Sequence, residues 1–365
     1  MKRKLLSIAG IILILAICIL SACSPSSPTS PTTPTTPTSP SKPSSTSSAP
    51  VVLKWSCPWP PGSTPMVRRQ EYLDQLEEKS NGHIKIELYG VGQLCEPKEN
   101  VEAVQTGVAD IAAIISSYTP GLFPRSQVLE APIFTLRTDD PWKVSYSIMS
   151  EMRDEIDAEF ERNGLVSGGQ YWLGGVVQIF SKDKLSKLED FKGIKISCVS
   201  EVHSEALQSL GMAPSMIPGA ETYLALEKGV IDAALQTHGG ARITKYDEVC
   251  NYVTILNWPQ LGFAYAYNPD SLANLSDADR EFVLNEMWAY HENIEIGKYK
   301  QFSAEDYQWV IDHGIETVKL SDEEFSRITN ALPSLDKWIE DQKKLGIDDA
   351  EELSERILAL IEKYT

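Results

Sequence analysis

The stretch Ala103-Val104-Gln105-Thr106-Gly107-Val108-Ala109-Asp110-Ile111-Ala112 returns as Ala225-Leu226-Glu227-Lys228-Gly229-Val230-Ile231-Asp232-Ala233-Ala234. No other feature of the chain limits its fold so tightly. Each copy follows an amphipathic helical pattern. Each places Gly where a helix C-terminus needs a left-handed residue. Each then opens a short apolar run with Asp, over Ile111 to Ile115 or Ala233 to Leu235, the pattern of a buried strand. A helix, a tight stop and a core strand thus occur twice, which predicts two similarly built lobes.

The rest of the chain fills in an α/β alternation. Trp55 to Trp59 reads as a first strand, closed by the turn Pro60-Pro61-Gly62. Met66 to Lys79 reads as a helix stopped at Asn81-Gly82. Ile84, Ile86 and Leu88 alternate with polar residues, as do Ile194, Ile196 and Cys198, and both predict half-buried strands. Trp142 to Arg162 is helical, Leu165 to Phe180 is extended with a break at Gly174-Gly175, and Glu201 to Leu210 is helical. Ser276 with Asp279 predicts a capping box for one helix reaching about His313. At about 1.5 Å per residue such a helix reaches across both lobes. Two further helices are expected near Asp322 to Lys344 and Asp348 to Tyr364.

The N-terminus is built for export. Met1-Lys2-Arg3-Lys4 is basic and Leu5 to Leu20 is almost wholly apolar, the two regions of a secretory signal. Leu20-Ser21-Ala22-Cys23 resembles a bacterial lipobox, which implies cleavage before Cys23 and a lipid thioether on it. Ser24 to Ser48 holds only Ser, Thr and Pro apart from Lys42, a composition that stays extended because it buries too little apolar area to offset its ordering entropy. The expected organisation is a signal over 1–22, a lipidated cysteine and linker over 23–50, a first lobe over 51–174 with 263–302, and a second over 175–262 with 303–365. With 33 Lys and Arg against 51 Asp and Glu the net charge is −18. Such a surface argues against nucleic acid and anionic lipid as partners. Cys57, Cys95, Cys198 and Cys250 remain outside the export segment, in a compartment that permits disulfides. Their three possible pairings stay open, Cys57–Cys95 with Cys198–Cys250 being the one that keeps each bridge within a lobe.

Several elements then combine. Pro60-Pro61-Gly62-Ser63, Asn81-Gly82-His83-Ile84-Lys85-Ile86, Gly92-Gln93-Leu94, Ala103 to Asp110, Phe191-Lys192-Gly193-Ile194-Lys195-Ile196 and Tyr223 to Asp232 follow one another in order. The set resembles the DctP-type solute-binding proteins of tripartite ATP-independent periplasmic (TRAP) transporters, over essentially all of residues 51–320. The resemblance implies a two-lobed, periplasmic-binding-protein-like α/β fold with a hinge cleft, braced by a long helix. It further implies a small organic solute as ligand, a TRAP-type permease as partner, and a monomer. Departures from the family pattern matter as much. The family's carboxylate-clamping Arg falls at Ser197, a second Arg at Val177, a frequent aromatic at Gly219, and a common Asn at Gln236. A neutral, aromatic or bulky ligand is therefore expected, unless Arg242 or Arg125 reaches in instead.

Candidate binding residues lie at strand ends and in the loops beyond them. Trp59 follows the first strand. Ser116, Ser117 and Tyr118 follow the strand of the first repeat. Trp172, Val177 and Gln178 lie where the lobes join. Ser197 ends its strand, Gln236 and His238 follow the second repeat, and Trp258 precedes the returning strand. Aromatic walls with a few hydroxyls and amides suit a binding cleft; a core place for each Trp and a plain loop place for His238 are the alternatives. Catalysis finds little support: Gly-x-Ser-x-Gly and His-Glu-x-x-His are absent, Ser181-x-x-Lys184 stands without companion motifs, and Gly90-x-Gly92 lacks a third glycine. His83, His203, His238, His291 and His313 share no metal-ligand spacing. No enzyme activity, metal or cofactor is expected. A ligand sensor for a membrane receptor, or a tethered extracellular hydrolase, is the alternative function.

Overall fold

The computed structural model describes residues 50–134, 140–173, 175–198, 200–217, 219–259 and 262–365. The expected signal, Cys23 and the linker as far as residue 49 lie outside the described residues. The strands are β1 (Val51–Ser56), β2 (Ile84–Tyr89), β3 (Ile111–Ile115), β4 (Val166–Leu173), β5 (Val176–Ser181), β6 (Lys195–Cys198), β7 (Ala213–Met216), β8 (Ala233–Gln236), β9 (Tyr252–Pro259), β10 (Gly262–Tyr267) and β11 (Glu316–Val318). They form two sheets, ordered β2-β1-β3-β10-β4 and β11-β9-β5-β8-β6-β7. The chain passes between them from β4 to β5 and back from β9 to β10.

The repeat explains this doubled order. In the first sheet β1 lies between β2 and β3, parallel to both, and antiparallel β10 follows. In the second, β6 lies between β7 and β8, parallel to both, and antiparallel β5 follows. Gly107 and Gly229 take φ of 73° and 69°, the left-handed stop read from the sequence. The Asp three residues on, Asp110 or Asp232, stands just before the inner strand.

The inner strands β3, β5 and β10 are buried on both faces, whereas β1 and β2 alternate buried and more exposed residues. Alternation along β5 sends Ile179 into one cluster with Ile196, Leu235 and Trp258, and Phe180 into the other with Ala234, Tyr246 and Val253. The first sheet packs Trp55, Ile84, Ile114 and Tyr265 against Leu73, Leu76, Ile148 and Phe160. Each such side chain contributes about 1.5–3 kcal/mol on burial.

Several expectations need correction. The first strand starts at Val51 and stops at Ser56, before Trp59. The long helix is interrupted: α-helix Asp277–Tyr290, a π-helical stretch His291–Ile296, then α-helix Tyr299–Asp312. The π stretch carries Glu295, which pairs in the interior with Arg69; wider turns of this kind serve such local demands. Its N-cap is as expected, with Ser276 Oγ accepting from Asp279 N at 3.1 Å. The helix expected near 322–344 is two, Asp322–Ala331 and Leu335–Lys344, because Pro333 cannot continue the first. Residues 303–365 do not all join the second lobe. Trp338, Leu353, Ile357 and Leu360 bury in the first core. All four cysteines from Cys57 on are free. Burial pushes the Cys57 and Cys250 thiols up to about 12 and Cys198 up to about 11, so they stay protonated and unreactive.

Candidate binding cleft

Open α/β sheets take ligands beyond the carboxyl ends of their parallel strands. In the first lobe the segment after β1 carries Trp59, half-buried. Its ring stacks on Phe263 with centroids 5.7 Å apart and planes 19° from parallel. The Arg69 guanidinium carbon lies 4.0 Å from its centroid, a cation–π contact. Arg69 is only 4 % exposed. It pairs with Glu295 and donates to Tyr265 Oη at 3.2 Å and Pro65 O at 3.1 Å. Burial works against charge on Glu295, but Arg69 beside it holds its carboxyl below the usual range.

Beyond β3, Ser116–Tyr118 form one 3-10 turn in which Ser116 and Ser117 are buried. Ser116 Oγ donates to Gly262 O at 3.4 Å, whereas Ser117 Oγ is buried without a hydrogen-bond partner. Glu130, which the sequence reading missed, is fully buried next to them. Its Oε1 accepts from Gly262 N at 2.8 Å. Its Oε2 has no partner. Burial pushes the carboxyl up to about 8, against the opposing pull of the Gly262 N–H and of Ser117 and Ser200. Ser200 stands before helix Glu201–Ser209 of the second lobe, so this acid sits where the lobes meet. A charged residue inside the apolar run Val128-Leu129-Glu130-Ala131-Pro132 was the signal that could have found it.

In the second lobe, Val177 pairs with Trp258 across β5 and β9. Both are buried in its core. Trp258 is stacked with His203, planes 9° apart, and His203 Nε2 bonds Pro259 O at 2.8 Å. Burial pushes this imidazole down to about 4. Gln178 is committed to the backbone. Its Oε1 accepts from Leu256 N at 2.7 Å and Asn257 N at 3.0 Å, and its Nε2 donates to Asn257 Oδ1 at 2.8 Å. Asn257 has φ of 54° where the β5–β9 register shifts, so Gln178 staples an irregular strand. Ser197 is buried in β6, between Ser215 and Ala234. Gln236 accepts from Thr237 N at 2.9 Å. Thr237 then caps helix His238–Ile243 through Gly240 N. His238 packs edge-on to Tyr307, centroids 5.1 Å apart. Its Nε2 is buried without a partner, and burial lowers it to about 4.

Neither alternative arginine points to a ligand. Arg242 bonds Asp306 at 3.0 Å, and Arg125 pairs with Glu155 at 2.8 Å and with Asp349. The backbone of Trp172 pairs with Phe263 in β4; its side chain lies outside the described part of the structure. Among the described residues no group of His, Cys, Asp or Glu is arranged to hold a metal, and no helix is long and apolar enough to cross a membrane.

The family model described as DctP, bacterial extracellular solute-binding protein, family 7, matches residues 58–341. The C4-dicarboxylate-binding periplasmic protein DctP of Rhodobacter capsulatus is 28% identical over 222 residues, 60% of this chain and 65% of that protein. The chain spans between about half and two thirds of the length of the first curated relatives it matches. Among solved structures, a TRAP periplasmic solute-binding protein of Desulfovibrio salexigens superposes with a TM-score of 0.70 at 25% identity, over 87% of this chain and 97% of that one. A marine-metagenome TRAP solute-binding protein specific for aromatic acids, solved with 3-hydroxybenzoate, gives 0.75 at 23% identity over 87% and 99%.

Proposed function

Because the chain belongs to family 7 of the bacterial extracellular solute-binding proteins, the DctP family, we propose that it captures a small organic solute between its lobes and passes it to a TRAP-type membrane permease. The observation that carries this reading is the doubled sheet. Two lobes of the same strand order, joined by two crossing segments, can close on a solute by hinge motion. The protein works outside the cytoplasm as a monomer, tethered by an acylated Cys23.

The solute is neutral, aromatic or bulky. Val177, Ser197 and Gly219 stand where carboxylate-binding members carry Arg or aromatic groups, and Arg242 and Arg125 are each engaged by carboxylates. Trp59, half-buried on Arg69 and Phe263, offers an aromatic surface, and the unpaired Nε2 of His238 supports a polar contact from the second lobe. A relative is named for C4-dicarboxylates and a structural neighbour for aromatic acids, so related scaffolds serve different solutes.

The test is a thermal shift of the full-length protein in detergent against small carboxylates, aromatic acids and neutral polar or aromatic compounds. A solute at about one hundred times its Kd stabilises by about 2.7 kcal/mol. Hits among neutral or bulky compounds are expected. Hits confined to small dicarboxylates would overturn the solute class, and the absence of any hit would tell against solute capture.

A further inference from the structure

Two buried polar atoms at the junction of the lobes, Glu130 Oε2 and Ser117 Oγ, make no hydrogen bond of ordinary geometry, although Ser117 and Ser200 stand close enough to the carboxyl to favour its charged form. Leaving such an atom without a well-formed bond costs stability, so a native chain holding two together calls for an explanation. They share one place. Ser116, next to Ser117, donates to Gly262 O, and Glu130 accepts from Gly262 N. Tyr118 and, from the second lobe, Ser200 stand near the same carboxyl. The geometry points to a polar subsite of the cleft, in which Glu130 and Ser117 take an uncharged hydroxyl or amide of the solute. This assignment rests on the solute-binding reading above.

Charge decides the class. A solute carboxylate entering here would bury its charge where Arg69, Arg125 and Arg242 each already face an acid, so that none of the three offsets it. A solute ammonium needs Glu130 ionised, which its burial opposes. A hydroxyl or primary amide carries both donor and acceptor. It matches a carboxyl oxygen and a hydroxyl that make no well-formed bond of their own.

The experiment uses full-length protein in detergent and probes in matched sets, in which one carbon frame, aliphatic or aromatic, is presented as carboxylate, primary amide, alcohol and amine. Amides or alcohols are expected to raise the melting temperature where the acid and amine of the same frame do not. Ser117→Ala is expected to weaken those hits about threefold to tenfold, the worth of a hydrogen bond. Without probe it should melt at or above the wild-type temperature, because it removes an unpaired buried hydroxyl. Glu130→Gln, which keeps an acceptor for Gly262 N, should fold and weaken the same hits. Stabilisation by acids or amines alone, or both variants binding the hits as wild type does, would overturn the assignment while leaving solute capture intact. A Ser117→Ala variant that melts lower yet binds unchanged would make the serine structural and overturn it too. Silence of wild type across every set would instead count against solute capture itself.

Discussion

Asp110 locks the inner strand of the first sheet to Lys54: its Oδ2 accepts from Lys54 N at 2.7 Å, and its own N–H donates to Lys54 O at 3.0 Å. Asp232 does the same to Lys195, at 3.0 and 2.8 Å. The repeated Asp thus ties the start of an inner strand to its parallel neighbour in each sheet. Asp110 also accepts from Ser271 Oγ. Asp110→Ala is expected to destabilise by about 1–2 kcal/mol in chemical denaturation, and Asp232→Ala by less. Equal losses would show that the Ser271 bond adds nothing.

Gln178 behaves as architecture. Gln178→Leu strands the buried N–H of Leu256 and leaves that of Asn257 without its acceptor. A loss of about 2–4 kcal/mol is expected, read as a lower denaturation midpoint. A variant as stable as wild type would free Gln178 for the solute.

Stability should turn over with pH in a sense fixed by three groups. Burial lowers His203 and His238 from 6.5 to about 4. The unfolded chain therefore binds more protons than the folded one between about pH 4 and 6.5, and stability falls as pH drops through that window. Burial raises Glu130 from 4.5 to about 8. There the folded state holds the extra proton, so stability falls as pH rises from 4.5 through 8. Glu130→Gln should flatten the alkaline decline in melting temperature relative to wild type, and His203→Gln the acid one. A Glu130→Gln profile parallel to wild type between pH 6.5 and 8 would disprove the acid's role.

Membrane attachment can be checked apart from the fold. Cys23→Ala is expected to move the protein from the membrane pellet to the soluble fraction. Unchanged fractionation would sink the lipid anchor.

Much of the architecture was legible because it is local. Gly107 and Gly229 must be left-handed to end a helix, and alternating Ile84-x-Ile86 and Ile194-x-Ile196 must present one face to a core. The break at Pro333 was missed, because the helical pattern on either side read as one helix. The site was less so. Trp258 and Val177 read as cleft residues, and their neighbours in space, His203 and each other, put both in the core. Gln178 read as a polar contact, but the amides it satisfies lie some eighty residues away on β9.

The sequence by itself determined the two lobes and the inner strands that follow Gly107 and Gly229, since each depends on residue type and near-neighbour spacing. Tertiary structure decided what no periodicity carries. It buried Glu130 at the lobe junction, closed Arg69 with Glu295 through a π-helical turn, kept the cysteines apart, and folded the last helices back on the first lobe. Burial and pairing of a charge depend on what the rest of the chain brings around it, and that is a property of contacts made across more than a hundred residues.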